Sequence, residues 1–334
     1  MFTGRNYKIR EFLIWTRRDI LKLMLIAAIP TLLYQLAGWK WVGIPWVPIA
    51  LIGTAAAFIA GFKNTQSYNR MWEARTIWGG IVNSSRAWGI MVTGYIRNAN
   101  NEEEQRLHRT FIYRHIAWMT ALRFQLRESR SWENIKTKAY NISYTKFYHV
   151  QEWENNLEDE LTPFLSDSEK AYILQRKNRA TQLIALQSDH LKELNATGKL
   201  DTLCYVEMEN MLKELYEQQG KCERIKNFPY PRQFASINLF FIRLLTYSLP
   251  FGLLNEFAKL GEHGAWLTIP FTVVVGWVFT SLEQVGESTE NPFEGGANDV
   301  PITSMSRTIE IDLREMLGEK ELPAPVPAMN NILM

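Results

Sequence analysis

The chain has 334 residues, 46% apolar and 22% charged, with a formal net charge of +2 and a mean hydropathy of −0.19. Such a chain is too apolar for disorder, too poor in cysteine for a disulfide scaffold, and too evenly charged for a nucleic-acid binder. The averages would suit two soluble domains, but the aromatic share of 13%, with 12 tryptophans, is unusual, and averages hide segregation.

In chain order, Arg5, Lys8, Arg10, Arg17, Arg18 and Lys22 crowd the first 22 residues, and then Leu23 to Trp39 carries no charge. Trp41 to Phe62 and Gly264 to Leu282 are also free of charge, and Gln233 to Asn255 is broken only by Arg243. A hydrocarbon core of about 30 Å needs about 20 helical residues. Soluble core helices rarely run that long without a charge, so four transmembrane helices are expected. Lys22 and Lys40 can snorkel to lengthen the first, shorter run. Thr16-Arg17-Arg18 ahead of an apolar run resembles a twin-arginine export signal. No small-residue cleavage site follows, and a second apolar run comes next, so the arginines read as topology determinants.

Positive residues remain on the cytoplasmic side. The two outer connections offer one lysine each, Lys40 in the first hairpin and Lys259 in the second. The expected topology therefore has both termini and the long middle inside, in the inner membrane, with two membrane hairpins. The chain divides into a cytosolic segment 1–22, a first hairpin 23–62, a cytosolic helical region 63–232, a second hairpin 233–282, and a cytosolic loop and tail 283–334. Trp39, Trp41, Trp46 and Trp266 fall at the outer boundaries, as an aromatic belt would have them. Arg243 admits two readings: a functional charge within the membrane, or an interfacial residue with Leu244 to Leu260 completing the crossing and Gly261 as a stop. The second is favoured.

The middle reads as long helices. Apolar positions recur at three and four over Leu107–Leu126, and the signature returns over Asp167–Glu193 and Leu203–Gln219, the last ending at Gly220. Tyr140–Val150 is the one patch with strand character. Glu102–Glu104 and Glu152–Glu160 could suggest a cation site, but a solvated helical face is the simpler reading. The tail after Leu322, with Pro323, Pro325 and Pro327, suits a mobile or docking extension.

Catalytic chemistry is not apparent. His108, His115, His149, His190 and His263, with Cys204 and Cys222, show no metal-ligand spacing, and no phosphate loop, nucleophile elbow or zincin motif occurs. No cofactor and no enzyme activity are expected, and both cysteines read as free thiols.

The second apolar run carries the sharpest signal. Thr54, Phe58 and Phe62 are spaced by four and share one helical stripe, among Gly53, Ala55, Ala56, Ala57, Ala60 and Gly61. Small residues let helices approach closely in lipid, and a bulky stripe turned to a symmetry axis would make stacked apolar rings able to gate by dewetting. Two phenylalanines facing lipid would give the same spacing.

The next residues bear on that choice. The run from Gly61 to Trp78, containing Asn69, Arg70, Trp72, Glu73 and Arg75, resembles the strongest signature of the bestrophin family in its bacterial branch. Cys222-Glu223-Arg224, followed by Pro229 and Pro231, and Asn291-Pro292-Phe293 are similar to two further blocks of that family, in the same order. The resemblance implies an all-α homopentameric ion channel, each subunit having four identical partners in the bilayer, with one axial pore for small monovalent ions. It places the three apolar rings of the neck on Thr54, Phe58 and Phe62, the threonine being a departure that should give a wider or wetter ring. It places a cytosolic constriction near Leu200.

Calcium-activated animal relatives carry an acidic run after the Asn-Pro-Phe block. Here only Glu294 and Asp299 stand as calcium candidates, too few carboxylates for a tight site, and the loop is expected to pack on a neighbouring subunit. Phenyl edges favour anions and phenyl faces cations. Animal relatives pass chloride and bacterial ones have been associated with monovalent cations; chloride, the family's usual assignment, is the expectation. A secondary transporter, with Pro30, Pro250 and Pro270 breaking helices, and a membrane-anchored scaffold are the alternatives.

Overall fold

The computed structural model describes residues 1–261 and 263–334. Among them the regular structure is helical: α1 (Ile9–Gln35), α2 (Trp46–Tyr95), α3 (Asn101–Arg127), α4 (Ala139–Tyr144), α5 (Gln151–Glu154), α6 (Leu157–Leu161), α7 (Asp167–Leu174), α8 (Arg179–Ala196), α9 (Thr202–Asn227), α10 (Arg232–Phe257), α11 (Thr268–Thr289) and α12 (Ile302–Met316). Tyr140–Val150, the one patch with strand character, folds mainly as α4 and a following turn of 3-10 helix at Thr145–Phe147.

Starts and stops follow local chemistry. The side chains of Asn100, Asn178 and Asp201 cap the first turns of α3, α8 and α9, and Ser166 with Glu169 forms a capping box on α7; each accepts from a backbone N–H that the helix leaves unpaired. Glu102–Glu104 occupy the first turn of α3, where carboxylates complement the helix dipole. Gly220 ends nothing, and α9 runs on to Asn227.

The longest element, α2, has 50 residues, about 75 Å at 1.5 Å per residue. The sequence divides it at Lys63 by charge, but no proline or other breaker stands there, and the helix continues. Its first half packs on α10 through Ile49, Ala56 and Ala60 against Ile242, Leu245 and Leu249. A Cβ at Gly252 would lie 2.5 Å from Ile49 Cδ1, so any larger residue there would have to displace the end of that side chain. Its second half enters a larger core with α3, α8, α9 and α12, where Trp78, Trp88, Phe111 and Trp118 are buried. Helix α1 packs on α10 and α11.

Three described helical stretches are long and apolar enough to cross a membrane: Lys40–Tyr95, Arg232–Leu260 and Gly264–Thr289. The first apolar run is not among them, because α1 is charged up to Lys22 and ends at Gln35. Two ends of the molecule are nevertheless clear. Val42 of the α1–α2 connection packs with Leu254 and Ala265 beside the α10–α11 connection. At the opposite end Thr3 N donates to Asn331 O at 2.7 Å, Phe2 bridges Ile332, and Ile332 and Met334 are buried with Tyr148 and Val150. The proline-bearing tail thus docks on its own chain.

Candidate ion pore

Helix α2 shows two unlike faces in its first half. One buries Ile49, Ala56, Ala60 and Lys63. The other carries Val47, Leu51, Thr54, Phe58 and Phe62 outward, with Phe58 77% exposed. Phe62 leans toward Phe234 of α10, ring centroids 6.2 Å apart. Thr54 Oγ1 donates to Ala50 O at 3.0 Å, so its hydroxyl proton is already taken and its methyl group completes the stripe. Beyond Lys63 the exposed row continues with Tyr68 stacked on Trp72, centroids 6.3 Å apart.

The base of this half-helix rests on a polar joint. Lys63 Nζ and Glu283 Oε1 are 2.6 Å apart, with side chains 3% and 7% exposed, and Asn238 Nδ2 also donates to Glu283. Asn64 Nδ2 donates to Leu282 O at 3.1 Å. The joint ties α2, α10 and α11 together at one level. Sequence reasoning missed it, although the signal was present: Lys63 and Glu283 are each the first charge after an uncharged run.

The other motif residues brace the second half. Arg70 donates to Ile225 O and Phe228 O, neutralising the C-terminal carbonyls of α9. Glu73 pairs with Arg224, and Arg75 lies 3.4 Å from Met1 Sδ. Asn69 and Trp72 are exposed. Cys222 is buried and burial pushes its thiol up, out of the reactive range; Cys204 is also a free thiol. Glu223 accepts from Gln219, Gln125 and Asn178 at 2.7 to 2.9 Å.

Leu200 is 2% exposed within the helical core. An axial constriction needs a side chain that is open in the single subunit, so Leu200 does not meet the expectation; Leu203 and Val206, on the first turns of α9, are open. The reason is local, since Lys199 and Leu200 N–H groups both bond back to Leu194 O and fold the chain onto α8.

The loop after α11 also departs from expectation. Asn291 to Gly296 is buried in its own chain rather than offered to a neighbour. Phe293 is in the core, Asn291 Nδ2 donates to Glu294 at 3.2 Å, and Val300 N donates to Pro292 O at 3.1 Å. Gly295 has φ 103°, and a Cβ there would collide with the Trp153 ring. Glu294 accepts from Ile135 N, and Asp299 accepts from the Gly295 and Gly296 N–H groups at 2.7 and 2.9 Å. Burial pushes the Glu294 carboxyl up to about 8 and raises that of Asp299, against the pull of Arg127. These carboxylates are turned into the protein, and no group of three or more metal-ligating side chains occurs among the described residues.

Glu152 corrects the solvated-face reading of its stretch: it is buried beside Arg123 and Arg127 and accepts from Thr303 Oγ1 at 2.7 Å. Burial alone would raise its carboxyl, but the two guanidiniums hold it below the ordinary value. His108 and His115 bond Ile96 O and Ser85 Oγ at 2.8 and 2.9 Å.

The sequence profile of the bacterial and fungal bestrophin proteins matches residues 14–315. The chain belongs to that bestrophin family. Among its relatives, a voltage-dependent anion channel-forming protein YneE of Escherichia coli O157:H7 is 25% identical over 296 residues, 88% of this bestrophin and 84% of the relative. That of Salmonella typhi is 26% identical over 309 residues, 92% and 88% of the two chains. The crystal structure of a bacterial bestrophin homologue from Klebsiella pneumoniae matches with a TM-score of 0.74 at 25% identity, covering 90% of this bestrophin and 98% of that chain.

Proposed function

We propose that the protein is a homopentameric channel of the inner membrane, each subunit meeting four identical partners in the bilayer, and that it passes small monovalent anions, chloride foremost. The carrying observation is the outward stripe of α2. Five copies turned to one axis would stack rings of Thr54, Phe58 and Phe62, an apolar neck that gates by dewetting. Phenyl edges carry the positive part of the ring quadrupole and suit an anion. The anion channel-forming names of the Escherichia and Salmonella relatives support the same choice. The cytosolic constriction is better sought at Leu203 or Val206 than at Leu200.

Four crossings, with the divisions at 22, 62, 232 and 282, agree with the joined chain ends: Thr3 and Asn331 lie together, and an even number of crossings returns the chain to its starting side. The basic first segment makes that side cytoplasmic. With Lys22 and Glu283 flanking the same boundary, Arg243 falls at the interface rather than in mid-membrane.

Single-channel recording of the purified protein in bilayers tests this. Under a tenfold KCl gradient, unitary currents should reverse toward the chloride potential, about 59 mV from zero for a tenfold ratio. Reversal at the potassium potential overturns the anion assignment, and saturable uptake without unitary currents overturns the channel.

A further inference from the structure

Opposite the α2 stripe, where α1 packs on α10 and α11, lies a pocket of about 460 Å³. Its wall includes the acids Asp19, Glu283 and Glu287, and each is already satisfied. Asp19 has Lys22 at 3.5 Å and the Gln284 amide; Glu283 has Lys63; Glu287 has Lys138 at 2.8 Å and the Tyr140 hydroxyl. Two lining guanidiniums are left over. Arg18 and Arg243, from different helices, have no ion pair among the described residues and are both exposed. The rest of the wall is mixed, with apolar Ile26, Leu239 and Ile242 beside polar Thr246, Thr280 and Gln284; Leu25 of α1 and Leu244 of α10, next in the chain to this region, face outward.

A guanidinium left unpaired beside hydrocarbon is costly, and two converging on one pocket call for an anion with several oxygens. Arg forks match phosphate oxygens in a bidentate manner. We propose that this pocket binds a phosphate-ester anion, its source the headgroup of an anionic phospholipid, with acyl chains lying along Ile26, Leu239 and Tyr247. The apolar part of the wall selects lipid over soluble phosphate, which has no use for it. The site rests on the membrane placement proposed above and is independent of ion conduction. Occupancy would pin the charged end of α1 to α10.

The test is native mass spectrometry of the full chain released from detergent micelles holding equal phosphatidylglycerol and phosphatidylcholine. The wild type should retain phosphatidylglycerol preferentially, on the order of tenfold, as two cations near a membrane surface imply. The double variant Arg18→Gln, Arg243→Gln should fall toward parity, whereas Arg10→Gln, outside the pocket, should retain the preference. Undiminished preference in the double variant overturns the site. Both arginines are unpaired, so folding is not at risk on that account; Arg18→Lys with Arg243→Lys keeps the charge but loses the fork, and should retain an intermediate preference. Millimolar inorganic phosphate should not displace the lipid; displacement would overturn the lipid as the source. The same spectra report the subunit number, so a failed pentamer is read separately from a failed site.

Discussion

The two halves of α2 bury side chains of different size, although Ile49 is buried in the first and Tyr68 and Trp72 are open in the second. The first half buries small residues, Ala56 and Ala60, and turns Phe58 outward. The second half buries Trp78, Ile81 and Trp88 and turns Arg75, Thr76 and Arg86 outward. On the membrane placement proposed above, one helix meets two solvents. In water large apolar side chains must be buried; in lipid that drive between helices is absent, and close backbone approach through small residues takes its place.

The strongest way to break this contrast is to remove a large aromatic from each half. Trp88→Ala should destabilise the fold by about 3–5 kcal/mol, the usual range for deleting a buried aromatic. Phe58→Ala should change stability by less than about 0.5 kcal/mol while raising unitary conductance. Thermal unfolding in detergent with bilayer recording reads both, and equal destabilisation would remove the distinction. The joint between the halves comes next. Glu283→Gln leaves the Lys63 ammonium buried without its carboxylate and should cost about 3 kcal/mol. The double replacement Lys63→Met, Glu283→Leu should recover most of that loss in the same unfolding assay.

A last effect concerns the buried acid of the loop after α11. The Glu294 carboxyl is raised from 4.5 to about 8 by burial. The folded state favours its protonated form, so that contribution to stability is full below pH 4.5 and is lost as pH rises through 8. Glu294→Gln should remove the decline that runs between about pH 4.5 and 8, a loss of several kcal/mol over that window. A variant that declines as steeply as wild type would place the titration elsewhere.

Charge segregation makes the three apolar runs within Lys40–Tyr95, Arg232–Leu260 and Gly264–Thr289 legible, and four-residue spacing fixes the face of the α2 stripe without tertiary information. It cannot show that α2 continues past Lys63, since a change of solvent need not be a change of backbone. Burial is the harder question. The resemblance puts Leu200 near an axial constriction and the sequence puts the Asn291–Gly296 loop on a neighbour, yet both are buried in their own subunit; a single sequence gives no sign of which side of a loop is covered. Gly220 misleads because glycine ends a helix only when its backbone turns left-handed, as Gly261 does at φ 109°.

The paired chain ends carry a consequence in time. Thr3 and Asn331 are 328 positions apart. At about 5–20 residues per second, the segment that holds the start of the chain emerges some tens of seconds after it. The leading residues before α1 stay loose until then, and the clasp closes only once the proline-bearing tail is made. A chain halted at Met316 should keep its membrane helices but leave Phe2, Tyr148 and Val150 uncovered, a defect that limited proteolysis of the first eight residues would expose.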